Sequence, residues 1–186
     1  MIENETIRSI LSRRSFKIFD GRPIEDEKLE TILNAGLYAP TGMNGQPWHF
    51  TIIKSREMLD KVAAAREALP PPCPPPGVKL PDGPAAFANP MRNAPVLVLV
   101  SARNHPTAFE DCCLATENMF IAAASLGIMS GWDHATIKDL FADGRNAELK
   151  AELVPEGNTL YTAFFLGYTD TEPKDRGPRK GTITIL

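Results

Sequence analysis

One turn-rich stretch combines residue types that can bind a planar polar molecule. It runs from Ala39 to Phe50 with the sequence APTGMNGQPWHF. Asn44 and Gln46 each offer a hydrogen-bond donor and an acceptor, which suits the edge of a planar polar ring. Two glycines allow close approach of the backbone, and two prolines stiffen the loop. We therefore predict a binding loop whose polar groups are held in place in advance.

A second stretch offers the chemistry of an anion site. Residues 12–20 read SRRSFKIFD, with three cations and two hydroxyls among the first six residues. Guanidinium forks match phosphate oxygens, and hydroxyls add neutral donors. Alone, this stretch is equally typical of a solvated basic turn. Its position one helix upstream of the amide-rich loop favours the anion site.

Composition limits the classes of function. The 186 residues suit one domain with a real core, and a net charge of -3 provides no broad basic field for nucleic acid. No apolar run approaches the roughly 20 residues of a membrane span. The first residues do not resemble a signal peptide. We expect a cytoplasmic protein with neither nucleic acid nor membrane as partner.

Several common sites are excluded by their missing motifs. The three cysteines, of which Cys112 and Cys113 are adjacent, form a poor disulfide framework, and the three histidines lack metal-ligand spacing. No Rossmann glycine pattern, P-loop or serine-hydrolase elbow occurs. At least one of the two adjacent cysteines should be buried in a helix. An anion site and an amide-rich loop without an obvious nucleophile indicate a protein whose cofactor carries the chemistry.

The elements that position these stretches can be predicted from periodicity and turn residues. Residues 129–133 are interpreted as a loop after a long apolar helix, which should be central or at a subunit interface. A proline-rich insert at 69–90 should be a lid or disordered. Helices are predicted at 3–11, 26–37, 56–68 and 109–126, with a short one beginning at 137–141, and strands at 49–53, 95–101, 159–167 and 182–186. This order predicts an α+β sandwich rather than a doubly wound sheet.

The paired motifs SRRSFKIFD and APTGMNGQPWHF, separated by an amphipathic helix, resemble the nitroreductase family of FMN-dependent NAD(P)H oxidoreductases. The resemblance continues in the 111–128 helix, in FFLGY at 164–168 and in the tail. It implies a three-layer α/β/α sandwich with a mixed, mainly antiparallel sheet, formed by the single domain 1–186. It also implies an intertwined homodimer with shared active sites.

The resemblance also implies roles for individual residues. Arg13, Ser15 and Arg179 should bind the FMN phosphate, with Arg14 near the phosphate or ribityl chain unless it is a surface charge. Lys17 should approach the pyrimidine side of the flavin. The partner subunit should supply loop residues, and the stretch after the central helix should present backbone amides to the ring. The loop set is Pro40, Thr41, Gly42, Asn44 and Gln46, of which Gln46 should support the loop or contact the ribityl hydroxyls. The second set is Ser130, Gly131 and Trp132.

Some assignments stay open. Trp132 could pack on the ring or be structural, and Trp48 and Phe50 are interpreted as core residues. Phe16 departs from the small or polar residue common in the family. A further flavin contact before the second strand could come from Lys79, Asn89 or Arg92, and the sequence does not choose among them.

The implied activity is electron transfer from NADH or NADPH to a nitroaromatic, quinone or enone acceptor by a ping-pong cycle. A flavin-binding sensor or storage protein without turnover is the alternative. A third hypothesis is a protein of this fold that has lost FMN and acts as a binding partner. The two intact N-terminal motifs argue against the third hypothesis, but not against the second.

Overall fold

The computed structural model describes residues 2–69, 90–173 and 177–186, without the side chains of 134–136. The predicted proline-rich insert, with Lys79 and Asn89, lies almost entirely outside the described residues. Among those described, no helix is long and apolar enough to cross a membrane.

The described chain contains six helices and four strands. The helices are α1 (Glu5–Ser12), α2 (Asp26–Leu37), α3 (Arg56–Glu67), α4 (Ala108–Ser125), α5 (His134–Leu140) and α6 (Ala147–Leu153). The strands are β1 (Trp48–Ile53), β2 (Val96–Ala102), β3 (Met129–Trp132) and β4 (Thr159–Gly167). Their order along the chain is α1, α2, β1, α3, β2, α4, β3, α5, α6 and β4. Single-turn 3₁₀ helices occur at Gly42–Asn44 and Ala142–Gly144.

Two helices begin at side-chain caps that the sequence supplies. The Asn4 side chain accepts from the amide of Ile7 at 2.9 Å and starts α1. The Ser55 hydroxyl accepts from the amide of Met58 at 3.1 Å and starts α3. Such caps satisfy amides that have no partner within the helix, so they fix where each helix begins.

The strands form one sheet in the order β1-β2-β4-β3, and all three strand pairs are antiparallel. An isolated parallel bridge joins Ser15 to Ser130. Every residue of β2 is buried, as its unbroken apolar sequence predicts for a central strand.

The sheet separates two apolar cores. One face packs against α2 and α4 around Ile32, Met119 and Phe164. The other face packs against α3, α5 and α6 around Val62, Leu140 and Phe165. Adjacent residues of β4 therefore point into different cores, and the predicted three-layer α+β sandwich is confirmed.

Two sequence predictions were wrong, and one helix was missed. Residues 129–132 form β3 rather than a loop, because β4 offers a pairing edge that the short Gly-containing sequence MSGW does not reveal. Helix α6 was missed although its sequence, AELKAEL, consists of strong helix formers. The tail at 182–186 forms no strand and is exposed, since a strand needs a partner edge.

Candidate functional site

The N-terminal cationic segment, residues 12–17, lies along the edge strand β3. The amide of Phe16 donates to the carbonyl of Ser130 at 2.9 Å, beside the parallel bridge between Ser15 and Ser130. Gly131 is required here, because a Cβ at that position would lie 2.2 Å from the Phe16 carbonyl oxygen. Three predicted site residues, Ser15, Ser130 and Gly131, thus come together through backbone contacts that the sequence did not indicate.

Two arginines of this segment follow the end of α1. Arg14 Nη1 donates to three carbonyl oxygens, those of Leu11, Ser12 and Arg13, at 2.8 to 3.1 Å. A cation is favourable at this position because the last carbonyls of a helix carry partial negative charge. Arg13 Nε lies 3.5 Å from the Glu117 carboxylate on α4. Arg14 therefore stabilises the end of α1 through Nη1. This contact is compatible with the predicted role of Arg14 near the phosphate or ribityl chain.

A cavity of about 510 Å³ opens beside these arginines. Its lining joins the cationic segment to the end of α4, the start of β3 and the residues after β4: Ser12, Arg13, Arg14, Phe16, Ala124, Ile128, Met129, Ser130 and Thr169–Pro173. Within the described parts of the chain, the buried Nε atoms of Arg13 and Arg14 have no hydrogen-bond partner. Arg13 Nε is within ion-pair distance of Glu117, whereas Arg14 Nε has no acceptor among the described residues, and two guanidinium groups beside a cavity suit an anion such as a phosphate. Asp170 and Glu172 also line the cavity, so its charge is mixed.

The amide loop, residues 41–46, lies on the first turn of α4. The Gly42 amide donates to the buried carboxylate of Asp111 at 3.1 Å. Gln46 Nε2 donates to Asn44 Oδ1 at 3.0 Å, so the two amide side chains support each other. Met43, Asn44 and Gln46 all adopt positive φ, at 53°, 53° and 42°. The loop is therefore a fixed and unusual backbone conformation, as its composition predicts.

The cationic segment and the amide loop lie at opposite ends of α4 within one chain. The loop is bonded to Asp111, whereas Ala124 lines the cavity beside the cationic segment. Thirteen residues separate these positions, which is about 20 Å along a helix. Arg179 lies in the exposed tail and is not brought to either group.

The aromatic residues that were left open differ in exposure. Trp132 is 38% exposed at the end of β3 and packs edge-on against Phe120 with ring centroids 5.7 Å apart. Trp48 and Phe50 stack on β1 with centroids 6.2 Å apart and pack against the α2/α4 core. Both are partly buried at the margin of this core rather than within it.

A buried ion pair next to β3 was not found from the sequence. Arg66 Nη1 lies 3.0 Å from Asp133 Oδ2, and both side chains are at least 96% buried. Arg92 Nη2 approaches the other oxygen of Asp133 at 3.3 Å. Burial lowers the pKa of Arg66, and the neighbouring Asp133 charge opposes this effect. Of the three residues considered as a further flavin contact, only Arg92 is described, and it faces Asp133.

Cys112 is buried on α4, as expected for at least one of the adjacent pair. Burial raises the pKa of this thiol to about 12, so it stays protonated and unreactive at neutral pH. Cys113 is partly buried, and burial raises its pKa as well. Neither thiol is suited to nucleophilic chemistry, and the described residues contain no group of three or more metal-ligating side chains.

An α+β sandwich with a cationic segment on an edge strand and a fixed polar loop defines a cofactor-binding class of protein. Comparison with known proteins specifies the class. The model of the nitroreductase family matches residues 10–154, and the chain belongs to that family. The resemblance inferred from the sequence and the expected oxidoreductase class are confirmed.

The similarity extends over the whole chain. A protein from Archaeoglobus fulgidus, provisionally named NADH dehydrogenase/NAD(P)H nitroreductase, is 35% identical over 181 residues, covering 92% of this chain and 87% of that protein. A nitroreductase crystallised with bound FMN from Bacteroides fragilis is 32% identical, with a TM-score of 0.82 over 99% of this chain and 100% of that one. A nitroreductase with bound FMN from Desulfitobacterium hafniense is 27% identical, with a TM-score of 0.84 over the full length of both chains.

Proposed function

We propose that this protein is an FMN-dependent oxidoreductase that transfers electrons from NADH or NADPH to a small aromatic or conjugated acceptor. One observation carries the proposal: the cationic segment lies along β3, where Ser15 is bridged to Ser130, so that Arg13 and Arg14 line a cavity. The two similar structures that contain FMN support the same cofactor here.

The residues present fit FMN. Arg13 and Arg14 line the cavity, and the Nε atom of Arg14 has no hydrogen-bond partner among the described residues, which suits a phosphate. Ser15, exposed beside them, would add a hydroxyl donor, and Lys17 a cation for the pyrimidine side of the ring. The backbone of Ser130–Trp132 would border the ring. Arg179 would join the phosphate contacts only if the tail moves there on assembly.

The amide loop would complete the site of a second subunit. It lies about 20 Å along α4 from the cavity in its own chain. Two chains packed with their α4 helices antiparallel about a twofold axis would bring the loop of one beside the cationic segment of the other. Exposed apolar side chains on α1 and α4 favour such packing: Ile10, Leu11, Phe109 and Leu114.

FMN, when bound, supplies reversible two-electron chemistry, accepting hydride from the nicotinamide and passing electrons to the acceptor. The protein would bind and orient the ring, stabilise negative charge on it through Lys17 and leave one face open. Solvent can supply the protons that the acceptor needs. A flat open face gives loose selectivity among nitroaromatics, quinones and enones, since few polar groups are left unpaired by a poor ligand.

The test begins with the purified full-length protein. We expect flavin-like absorbance, and a mass in solution near twice the 20.4 kDa of one chain. Under anaerobic conditions NADH or NADPH should bleach the flavin within seconds, and an acceptor should restore the colour. Parallel double-reciprocal plots with both substrates varied would support the ping-pong cycle.

Two other outcomes would identify the alternatives. A yellow protein that neither nucleotide bleaches would be a flavin-binding sensor or storage protein. A colourless monomer that takes up no FMN when it is offered in excess would refute the proposal.

A further inference from the structure

The amide loop is attached to its own chain by four residues that lie together around the start of α4. We call them the anchor residues: Arg103, His105, Thr107 and Asp111. Arg103 Nη2 donates to the carbonyl of Gly45 at 2.6 Å. Asp111 Oδ1 accepts from the amide of Gly42 at 3.1 Å. The loop is thus bonded to this surface at both of its glycines.

Both glycines are also required by close approach to the anchor residues. A Cβ on Gly42 would lie 2.3 Å from Thr107 Oγ1, and a Cβ on Gly45 would lie 2.4 Å from His105 Nε2. Neither glycine has a positive φ. Their small size therefore serves contact between the loop and the anchor residues rather than backbone conformation.

Asp111 connects the anchor residues to one another. Its side chain is 3% exposed, and its Oδ2 accepts from the Thr107 hydroxyl at 2.9 Å. His105 Nδ1 lies 3.5 Å from the same oxygen and accepts from the Thr107 amide at 3.4 Å. A buried carboxylate needs donors to offset its lost hydration, and here they are the Thr107 hydroxyl and the loop amide of Gly42. Removing the carboxylate would therefore free Gly42 and leave the Thr107 hydroxyl without this acceptor, while Arg103 would still hold Gly45.

The loop would not keep its conformation without such support. Met43, Asn44 and Gln46 occupy the left-handed region, which disfavours side chains that carry a Cβ. Such strain persists only where the surroundings hold it, and it concentrates at binding sites. The bond between Gln46 and Asn44 is internal to the loop, so it cannot fix the loop relative to α4.

We propose that Asp111 is a positioning residue of the cofactor site. Its buried carboxylate fixes the amide loop in its binding conformation before the cofactor arrives. This inference rests on the proposed function, because it assigns the loop to the FMN site of the partner subunit. It adds that the affinity for FMN depends on a side chain 69 residues away from Gly42 that contacts no ligand.

The test measures the protection of the loop amide and the affinity for FMN in separate experiments. Amide hydrogen exchange is followed by NMR in full-length protein labelled with ¹⁵N-glycine, as purified and after removal of flavin. The Gly42 amide reports the bond to Asp111, and Gly36 inside α2 is the internal reference. The dissociation constant for FMN is measured by fluorescence below the unfolding temperature of each variant.

Asp111→Ala removes the acceptor, whereas Asp111→Asn keeps an oxygen that can accept from Gly42. In Asp111→Ala we expect Gly42 exchange to accelerate at least about 30-fold and the FMN dissociation constant to rise about tenfold or more. Gly36 exchange should be unchanged. Asp111→Asn should stay within about threefold of the wild type in both measurements.

Thr116→Val is the matched control on the same helix. The Thr116 hydroxyl is buried and bonded to Cys112 and Thr162, remote from the loop, so its loss should lower stability alone. Should Asp111→Ala not fold, Thr107→Val removes one donor to the carboxylate and should give smaller changes in the same direction.

The inference is overturned if Asp111→Ala matches Thr116→Val in both measurements, because Asp111 would then stabilise the fold without positioning the loop. It is also overturned if Gly42 exchanges freely in the flavin-free wild type. A wild type that binds no FMN would refute the proposed function instead, while the exchange data would still decide whether Asp111 fixes the loop.

Discussion

The cationic segment and the amide loop are the two halves of the proposed site, and they are held in different ways. The segment is fixed by contacts between backbone atoms. The Phe16 amide donates to the Ser130 carbonyl, and the missing side chain of Gly131 lets the backbone of β3 approach that of Phe16. The loop is fixed by side chains, above all by the carboxylate of Asp111. A backbone contact leaves side chains available for a ligand, whereas a side-chain anchor makes the loop depend on one distant residue.

This difference explains which positions should tolerate substitution. The segment should keep its place when Arg13, Ser15 or Lys17 is replaced, since none of these side chains forms the bond to β3. The loop should keep its place only while its anchor residues remain. Four variants can break or sharpen this contrast, in order of expected effect.

Asp133→Ala should have the largest effect on stability. It leaves Arg66 buried without its carboxylate, which costs about 3–5 kcal/mol of unfolding free energy. Because Asp133 follows β3 directly, the support of the segment should fail while the loop keeps its bond to Asp111. Urea denaturation measures the loss of unfolding free energy, and hydrogen exchange of the Gly42 amide shows whether the loop keeps its bond to Asp111.

A double variant, Arg66→Met with Asp133→Leu, is the control, since replacing the whole pair with apolar residues should recover most of the lost stability. A cost below about 1 kcal/mol for Asp133→Ala would mean that the pair is not a support of β3.

Gly131→Ala should come next, with a loss of about 2–3 kcal/mol, because the added methyl meets backbone that cannot move aside. We also expect most of the bound flavin to be lost. Calorimetry and the ratio of flavin to protein measure the two effects.

Gly157→Ala is the matched comparison for Gly131→Ala. Gly157 has a φ of +79° and open space around it, so only the backbone cost of about 1 kcal/mol applies. Equal losses of unfolding free energy in the two variants would show that the segment is not in close backbone contact with Gly131.

Gly42→Ala should cost about 1–2 kcal/mol, because the added methyl meets the Thr107 side chain, and moving that side chain breaks its bond to Asp111. The loop would be displaced, and the affinity for FMN should fall about tenfold. Adding Thr107→Ala makes room for the methyl and should restore part of the affinity. If the second substitution restores nothing, displacement by Thr107 is not the cause.

Lys17→Ala should leave stability within about 0.5 kcal/mol, since Lys17 is exposed. It should weaken flavin retention or slow flavin reduction several-fold, because a cation near the pyrimidine favours the reduced ring. Lys61→Ala, on the surface of α3, is the control. Unchanged flavin content together with unchanged single-turnover reduction would remove Lys17 from the site.

Much of the fold could be predicted from local patterns. The bounds of α2 and β4 agree with the prediction at both ends, and α3 and α4 agree within one residue. These elements are long, and their apolar residues repeat with a clear period or run unbroken. Strand β3 was missed because four residues containing a glycine carry too little pattern. Its strand conformation comes from pairing with β4.

The chemistry of the site could also be predicted from short stretches of the sequence. Arginine forks, hydroxyls and amide side chains occur within two short stretches, so their residue types alone indicated an anion and a planar polar ring. The residues that support the site could not be predicted in this way. Asp111 and Asp133 look like ordinary helix-start carboxylates in the sequence, and only folding buries them against Gly42 and Arg66.

The sequence by itself therefore determined the main helices and strands, the family and the groups offered to a ligand, because each depends on neighbours along the chain. The tertiary structure decided that the segment lies on β3, that the loop lies at the other end of α4, and that the tail has no strand partner among the described residues. Those outcomes depend on contacts between residues far apart in sequence, whose free energies no local pattern encodes.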